Sequence, residues 1–223
     1  DNPKTYDKNA AYPVGTSWDN SDDDVVREVL TENSELNLLF KTWMDNLADY
    51  IYTLKDENGE PIPFIFRPWH EHTQTWNWWG RKCATDEEVV ELWRFTVEYL
   101  RDVKGIHNMI YAISPQMDEV YENTQERLTF RWPGDEFVDF IGMDCYHGRN
   151  HAALKSNLET LSKLSKEKGK TFGITEMGIE GVTYDKYFSH PAQAGADHHG
   201  GRQHCGLSPL AALLRYHRAM FGG

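Results

Sequence analysis

Positive charge is in short supply in this chain. Its 223 residues hold 23 Lys and Arg against 35 Asp and Glu, a formal net charge of −12. A surface of that sign repels phosphate, which argues against a nucleic-acid partner and says nothing against a neutral one. Cysteine is scarce as well. Cys83, Cys145 and Cys205 are three in number and widely spaced, which gives neither a zinc pattern nor a disulfide framework. No apolar run approaches the ~20 residues of a membrane span. No secretory signal pattern is visible. No Gly-rich phosphate fingerprint follows a predicted strand, and no Ser or Cys sits in a nucleophile elbow. His70-Glu71-His72 lacks the spacing of a His-Glu-x-x-His zinc helix, and neighbouring residues point in different directions.

What the chain does have is aromatic residues, 13% of the total, with eight Trp. Trp69, Trp76, Trp78 and Trp79 crowd into one stretch, a density that core packing alone does not account for. That stretch opens behind a short apolar run, Phe64-Ile65-Phe66-Arg67-Pro68-Trp69-His70, which ends at Glu71. A second apolar run, Phe172-Gly173-Ile174-Thr175, ends at Glu176.

The rest of the chain reads as helices alternating with strands. Ser21 to Leu30 suits a short helix. Leu36, Leu39, Phe40, Trp43, Leu47, Tyr50, Ile51 and Leu54 recur at three and four, an amphipathic helix with Ser34 as its N-cap. A strand is predicted over 63–69. Thr85-Asp86-Glu87-Glu88 is a capping box that opens a helix whose face is Val89, Leu92, Trp93, Val97, Leu100 and Val103, with Gly105 as terminator. Strands are predicted over 108–114, 137–146 and 170–176, and a long loop over 115–133. Leu154, Leu158, Leu161 and Leu164 line a helix that stops at Gly169.

Strand and helix in alternation, with near-continuous apolar strands, describe a parallel sheet buried on both faces by crossover helices. The fold class is therefore α/β, a (β/α)8 TIM barrel ahead of a doubly wound sheet. Only four strands are readable, so the barrel is expected to be incomplete. From Ser189 to Gly206 the sequence turns His-rich without a branched aliphatic or large aromatic residue. Residues 1–188 are thus read as a partial catalytic barrel and 189–223 as an atypical tail, whose His190, His198, His199 and His204 are incidental to any site.

Two carboxylates at the carboxyl ends of parallel strands face one cleft, the arrangement used to cleave glycosidic bonds. Burial beside His70, Trp69 and Trp76 would raise the Glu71 pKa and keep it protonated as an acid. Glu176 would need partners, and Arg67 and Tyr146 are candidates. Trp76, Trp78 and Trp79 offer indole faces for sugar rings, although at least one of Trp78 and Trp79 is expected to pack inward.

These residues carry a family resemblance. Arg67-Pro68-Trp69-His70-Glu71 followed by Trp76-Asn77-Trp78-Trp79-Gly80, the stretch Trp132 to Tyr146, and Gly173-Ile174-Thr175-Glu176-Met177-Gly178 resemble three motifs of glycoside hydrolase family 26 in their order and spacing. The resemblance runs from Asp1 to about Phe188. It implies a retaining endo-β-1,4-mannanase that needs neither cofactor nor metal and acts on mannan, galactomannan or glucomannan, with a secreted or cell-envelope location. It implies Glu71 as acid/base, Glu176 as nucleophile, and His70, Trp76, Tyr146, Trp79 and Arg67 around the substrate. It also implies that the first barrel strands lie upstream of Asp1 and that the last has no counterpart after Phe188. An inert glycan-binding fragment is the alternative, as is a relative acting on β-1,3-xylan or mixed-linkage glucan.

Overall fold

The computed structural model describes residues 1–147 and 150–178. The tail, its four histidines and Cys205 lie outside the described residues.

The order of elements follows the predicted alternation. Helix α1 (Val25–Leu30) and helix α2 (Glu35–Tyr52) precede strand β1 (Phe64–Phe66). Helix α3 (Asp86–Glu98) continues into one π-helical turn, Tyr99–Val103, and leads to β2 (Met109–Ile113). The segment predicted as a loop holds a short helix, α4 (Thr124–Leu128). A 3-10 turn at Asp135–Phe137 precedes β3 (Phe140–Cys145), and α5 (His151–Lys168) leads to β4 (Thr171–Met177).

Local chemistry explains most of the boundaries. The Ser34 hydroxyl accepts from the Asn37 N–H and starts α2. At Thr85 both halves of the capping box are made. Gly169 takes a left-handed φ of 63°, which ends α5. β1 is shorter than predicted because Pro63 and Pro68 flank it without N–H donors and Trp69 has a φ of 52°. β3 starts later than predicted, at Phe140, because a 3-10 turn ends on Phe137, the first residue of that run. α1 begins at Val25 rather than Ser21.

The four strands of the described residues are all parallel, in the order β1-β2-β3-β4. This is half the complement of a (β/α)8 barrel. β3 is buried throughout and β2 nearly so, as near-continuous apolar runs require. The expectation of burial on both faces fails for β1 and β4, the outer two strands among the described residues, where Ile65 and Phe172 are more than a third exposed. The core lies between this sheet and its helices and includes Leu92, Val97, Leu100, Ile113, Ile141, Met143 and Leu161.

Two helix faces are narrower than their sequences suggest. In α2 the buried stripe is Asn37, Phe40, Met44, Ala48 and Ile51, while Leu39 and Tyr50 face water. After α3, Val103 is exposed because the wider π turn sets back the helical phase.

Candidate active site

The carboxyl ends of the four strands bring the predicted residues together. Arg67 follows β1 directly. The chain then turns through Pro68 and two left-handed residues, Trp69 and Glu71, each with a φ of 52°. Such conformations cost a non-glycine residue about 1–3 kcal/mol and gather at functional sites. The turn is held by the Glu71 N–H, which donates to the Ser114 carbonyl at 2.9 Å. Glu71 ends up buried, with one carboxylate oxygen accepting from Trp76 Nε1 at 2.8 Å.

Glu176 reaches the same place from β4 through an irregularity in the sheet. Met143 pairs with Ile174, but Asp144 pairs with Glu176, so Thr175 is the extra residue of a bulge. A bulge re-aims the side chains that follow it. Here it sets Glu176 opposite Asp144, and the Thr175 hydroxyl donates to Asp144 Oδ1 at 2.6 Å.

Arg67 joins the two acids. Its Nη1 donates to Asp144 Oδ2 and to Ser114 Oγ, both at 2.9 Å, and its Nη2 donates to Glu176 Oε1 at 2.5 Å. The Tyr146 hydroxyl donates to the other Glu176 oxygen at 2.8 Å. Among the described residues, Glu71, Asp144 and Glu176 each present one oxygen within 4.8 Å of the others. Three carboxylates this close could hold a cation, but the Arg67 guanidinium already neutralises two of them.

The electrostatics differ between the two glutamates. Burial pushes Glu71 above the usual carboxylate range, helped by the charges of Glu176 and Asp118 and opposed by the Trp76 hydrogen bond. Burial also acts upward on Glu176, but the hydrogen bonds from Arg67 and Tyr146 outweigh it and hold that group low. Asp144 is fully buried and is pushed up to about 7, chiefly by desolvation, against the Thr175 hydrogen bond and the Arg67 charge. Tyr146 is driven up to about 12, first by its hydrogen bond to Glu176. Burial lowers His70, so its imidazole is neutral near pH 7.

The remaining predicted residues fall into two groups. Trp76 and His70 are half-buried beside Glu71. Trp79 takes a different place from the one predicted. It is 5% exposed, donates from Nε1 to the His70 carbonyl at 2.9 Å, and packs edge-on against Trp69 and Trp78. It therefore supports the turn from beneath and offers no face to a sugar. Trp78 is buried beside it. The imidazoles of His70 and His72 diverge, one against Trp79 and the other stacked over Phe130, so they share no metal position. Cys83 and Cys145 are both free and buried.

Asp144 escaped the sequence reading. It is the single carboxylate of Phe140–Cys145, and a lone acid within a buried strand is the signal that could have found it.

A paired acid and carboxylate on the carboxyl ends of parallel strands defines a chemistry, and comparison with known proteins attaches a family to it. The profile of glycosyl hydrolase family 26 matches residues 1–188. The chain belongs to glycosyl hydrolase family 26. Among family 26 structures it is similar to a β-mannanase from Bacteroides ovatus, with 37% identity and a TM-score of 0.70 over 82% of this chain and 50% of that one. A modular endo-β-1,4-mannanase from Cellulomonas fimi is 30% identical with a TM-score of 0.74, over 94% of this chain and 51% of the other. The mannan endo-1,4-beta-mannosidase of Bifidobacterium adolescentis is 33% identical over 175 residues, which are 75% of this chain and 17% of that protein. The chain thus spans about half the length of the two solved structures and less of the Bifidobacterium protein.

Proposed function

We propose that this chain carries the catalytic pair of a retaining endo-β-1,4-mannanase. The observation that carries the reading is the close approach of Glu71 and Glu176, with an oxygen of each within 4.8 Å. Retaining glycosidases hold their carboxyl groups about 5–5.5 Å apart, and inverting ones leave about 6.5–9.5 Å for a water. The opposed pKa shifts agree with this, one carboxyl favouring its proton and the other its charge.

In the proposed reaction, a Glu176 oxygen attacks the anomeric carbon of a β-mannosyl unit. The bond to the leaving oxygen breaks as Glu71 donates its proton to that oxygen. Glu71, now ionised, takes a proton from a water that attacks the same carbon and releases Glu176. Arg67 and Tyr146 hold Glu176 charged and aimed. Trp76 supports Glu71 through its N–H and stacks on the sugar. His70 lines the site beside Glu71. Mannan, galactomannan and glucomannan are the proposed substrates, and the family likeness supports a secreted or cell-envelope location. No helix among the described residues is long and apolar enough to cross a membrane.

The test is reducing-sugar release from galactomannan, with the anomer of the first product read by NMR. A β-product that later mutarotates is expected. An α-product at first would overturn the retaining assignment. Glu176→Ala should abolish hydrolysis with little change in fold, and surviving activity would mean that the nucleophile is another group. Ile65 on β1 and Phe172 on β4 are both more than a third exposed, and this favours a second reading, a chain that binds glycan without turnover. Binding to galactomannan with no product from galactomannan, β-1,3-xylan or mixed-linkage glucan is its signature. Turnover on one of the last two alone would change the substrate and keep the mechanism.

A further inference from the structure

Beyond the groups already assigned, the segment from Ser114 to Asp118 is tied to both sides of the site. The Ser114 carbonyl accepts from the Glu71 N–H at 2.9 Å. The Gln116 N–H donates to Thr73 Oγ1 at 3.2 Å. The Asp144 N–H donates to the Pro115 carbonyl at 3.0 Å, and the Met117 N–H to the Asp144 carbonyl at 2.7 Å. The segment ends on a carboxylate. Asp118 Oδ1 accepts from the Tyr146 N–H at 2.6 Å, and Oδ2 accepts from Gln116 Nε2.

We propose that Asp118 is a positioning residue of the reaction, which fixes Tyr146 against Glu176 and sets a negative charge behind Glu71. The inference rests on the reading of Glu71 as the acid. Tyr146 reaches Glu176 from a backbone position just beyond β3, where the sheet no longer holds it. The hydrogen bond from its N–H to Asp118 replaces the missing ladder and sets the direction of the phenol.

The charge has a second effect. Glu71 faces Arg67 and His70 from the β1 side, Trp76 from its own loop, Asp144 and Tyr146 from the β3 side, Glu176 from β4 and Asp118 from the loop after β2. Arg67 and the Trp76 N–H favour the ionised form of Glu71, while Glu176 and Asp118 favour the protonated one. Glu176 must be spent as the nucleophile. Asp118 is the acid on this list that touches neither the reacting atoms nor Arg67, so its charge persists when Glu176 becomes esterified.

Gln116 makes the charge separable from the hydrogen bonds. It is 7% exposed and its Oε1 has no hydrogen-bond partner among the described residues. In Asp118→Asn the amide oxygen keeps the Tyr146 N–H, and a flipped Gln116 amide presents Oε1 to the new NH2 group. The charge goes and the contacts stay. Asp118→Ala removes both.

The experiment compares kcat and kcat/KM of the full chain, D118N and D118A on galactomannan across about pH 4 to 9. D118N should move the alkaline limb, where Glu71 loses its proton, to lower pH by about half a unit. D118A should show the same displacement and lose about tenfold more kcat than D118N, through the freed Tyr146. An alkaline limb unmoved in D118N, or a D118A kcat equal to that of D118N, overturns the proposal. If the wild-type chain turns over no glycan, that failure belongs to the enzymatic reading. The Asp118 charge is then read from the carboxyl 13C titration of Glu71, assigned through E71Q. A lower midpoint in D118N supports the proposal and an unchanged one overturns it.

Discussion

Asp144→Asn tests the electrostatic account of the site in a quantity separate from activity. Asp144 is fully buried and accepts hydrogen bonds from Arg67 and Thr175. Its carboxyl is pushed up to about 7, chiefly by burial. In the unfolded chain the group titrates near 3.9. A carboxyl whose folded pKa lies above its unfolded value lends stability that is fully present below about pH 4. That stability is lost progressively as pH rises from about 4 to about 7, where the unfolded state has released its proton and the folded state still holds one. A shift of about three units corresponds to about 4 kcal/mol at 1.36 kcal/mol per unit, and relaxation around the charge brings the expected figure to about 2–4 kcal/mol. An asparagine fits the same contacts, since its oxygen can accept from Arg67 and its NH2 can donate to the Thr175 hydroxyl. D144N should therefore gain about 1–3 kcal/mol on wild type between pH 5 and pH 8, since about two of the three units lie above pH 5. Urea unfolding at the two pH values measures this. Glu71, with its raised pKa, contributes in the same direction as Asp144, while Glu176 and His72, both lowered, contribute oppositely. D144N retains all three, so the difference between the two proteins isolates Asp144. Parallel pH dependences, or a wild type that gains on D144N as pH rises, would refute the reasoning.

Two further outcomes follow from single contacts. Tyr146→Phe deletes the 2.8 Å donor to Glu176, so the acidic limb of the pH–rate profile should move to higher pH. Tyr146 is 44% exposed, so solvent screening limits the loss in kcat to about tenfold. An unshifted acidic limb would remove Tyr146 from the nucleophile's support. Gly142→Ala places a methyl group 2.6 Å from Thr175 Cγ2 and 2.8 Å from its Oγ1. It should cost about 1–3 kcal/mol by overpacking and also displace the Thr175 hydroxyl from Asp144. A variant as stable as wild type in urea would show that the β3–β4 spacing is not set at Gly142.

Much of this protein is legible in its sequence because the signals are local. Helix caps at Ser34, Thr85 and Gly169 depend on residues within one turn, and each forms where the pattern puts it. Apolar periodicity finds the helices and strand tracts, although it overextends β1 and β3, where flanking prolines and a 3-10 turn intervene. Glu71 and Glu176 stand out for the same reason, each a carboxylate at the end of an apolar run. Tertiary structure alone decided how they meet. The bulge at Thr175 sets which residue of β4 faces Asp144, and Arg67 spans three strands to bridge the acids. Trp79 turned inward although its sequence neighbours resemble a sugar platform, because the His70 carbonyl needed its N–H. Asp118 lies in no motif, and Asp144 lies in one without any sign there of what it contacts. Their roles come from charge and hydrogen bonding across residues 28 to 77 positions apart, and such pairings depend on sheet register, which no local pattern encodes.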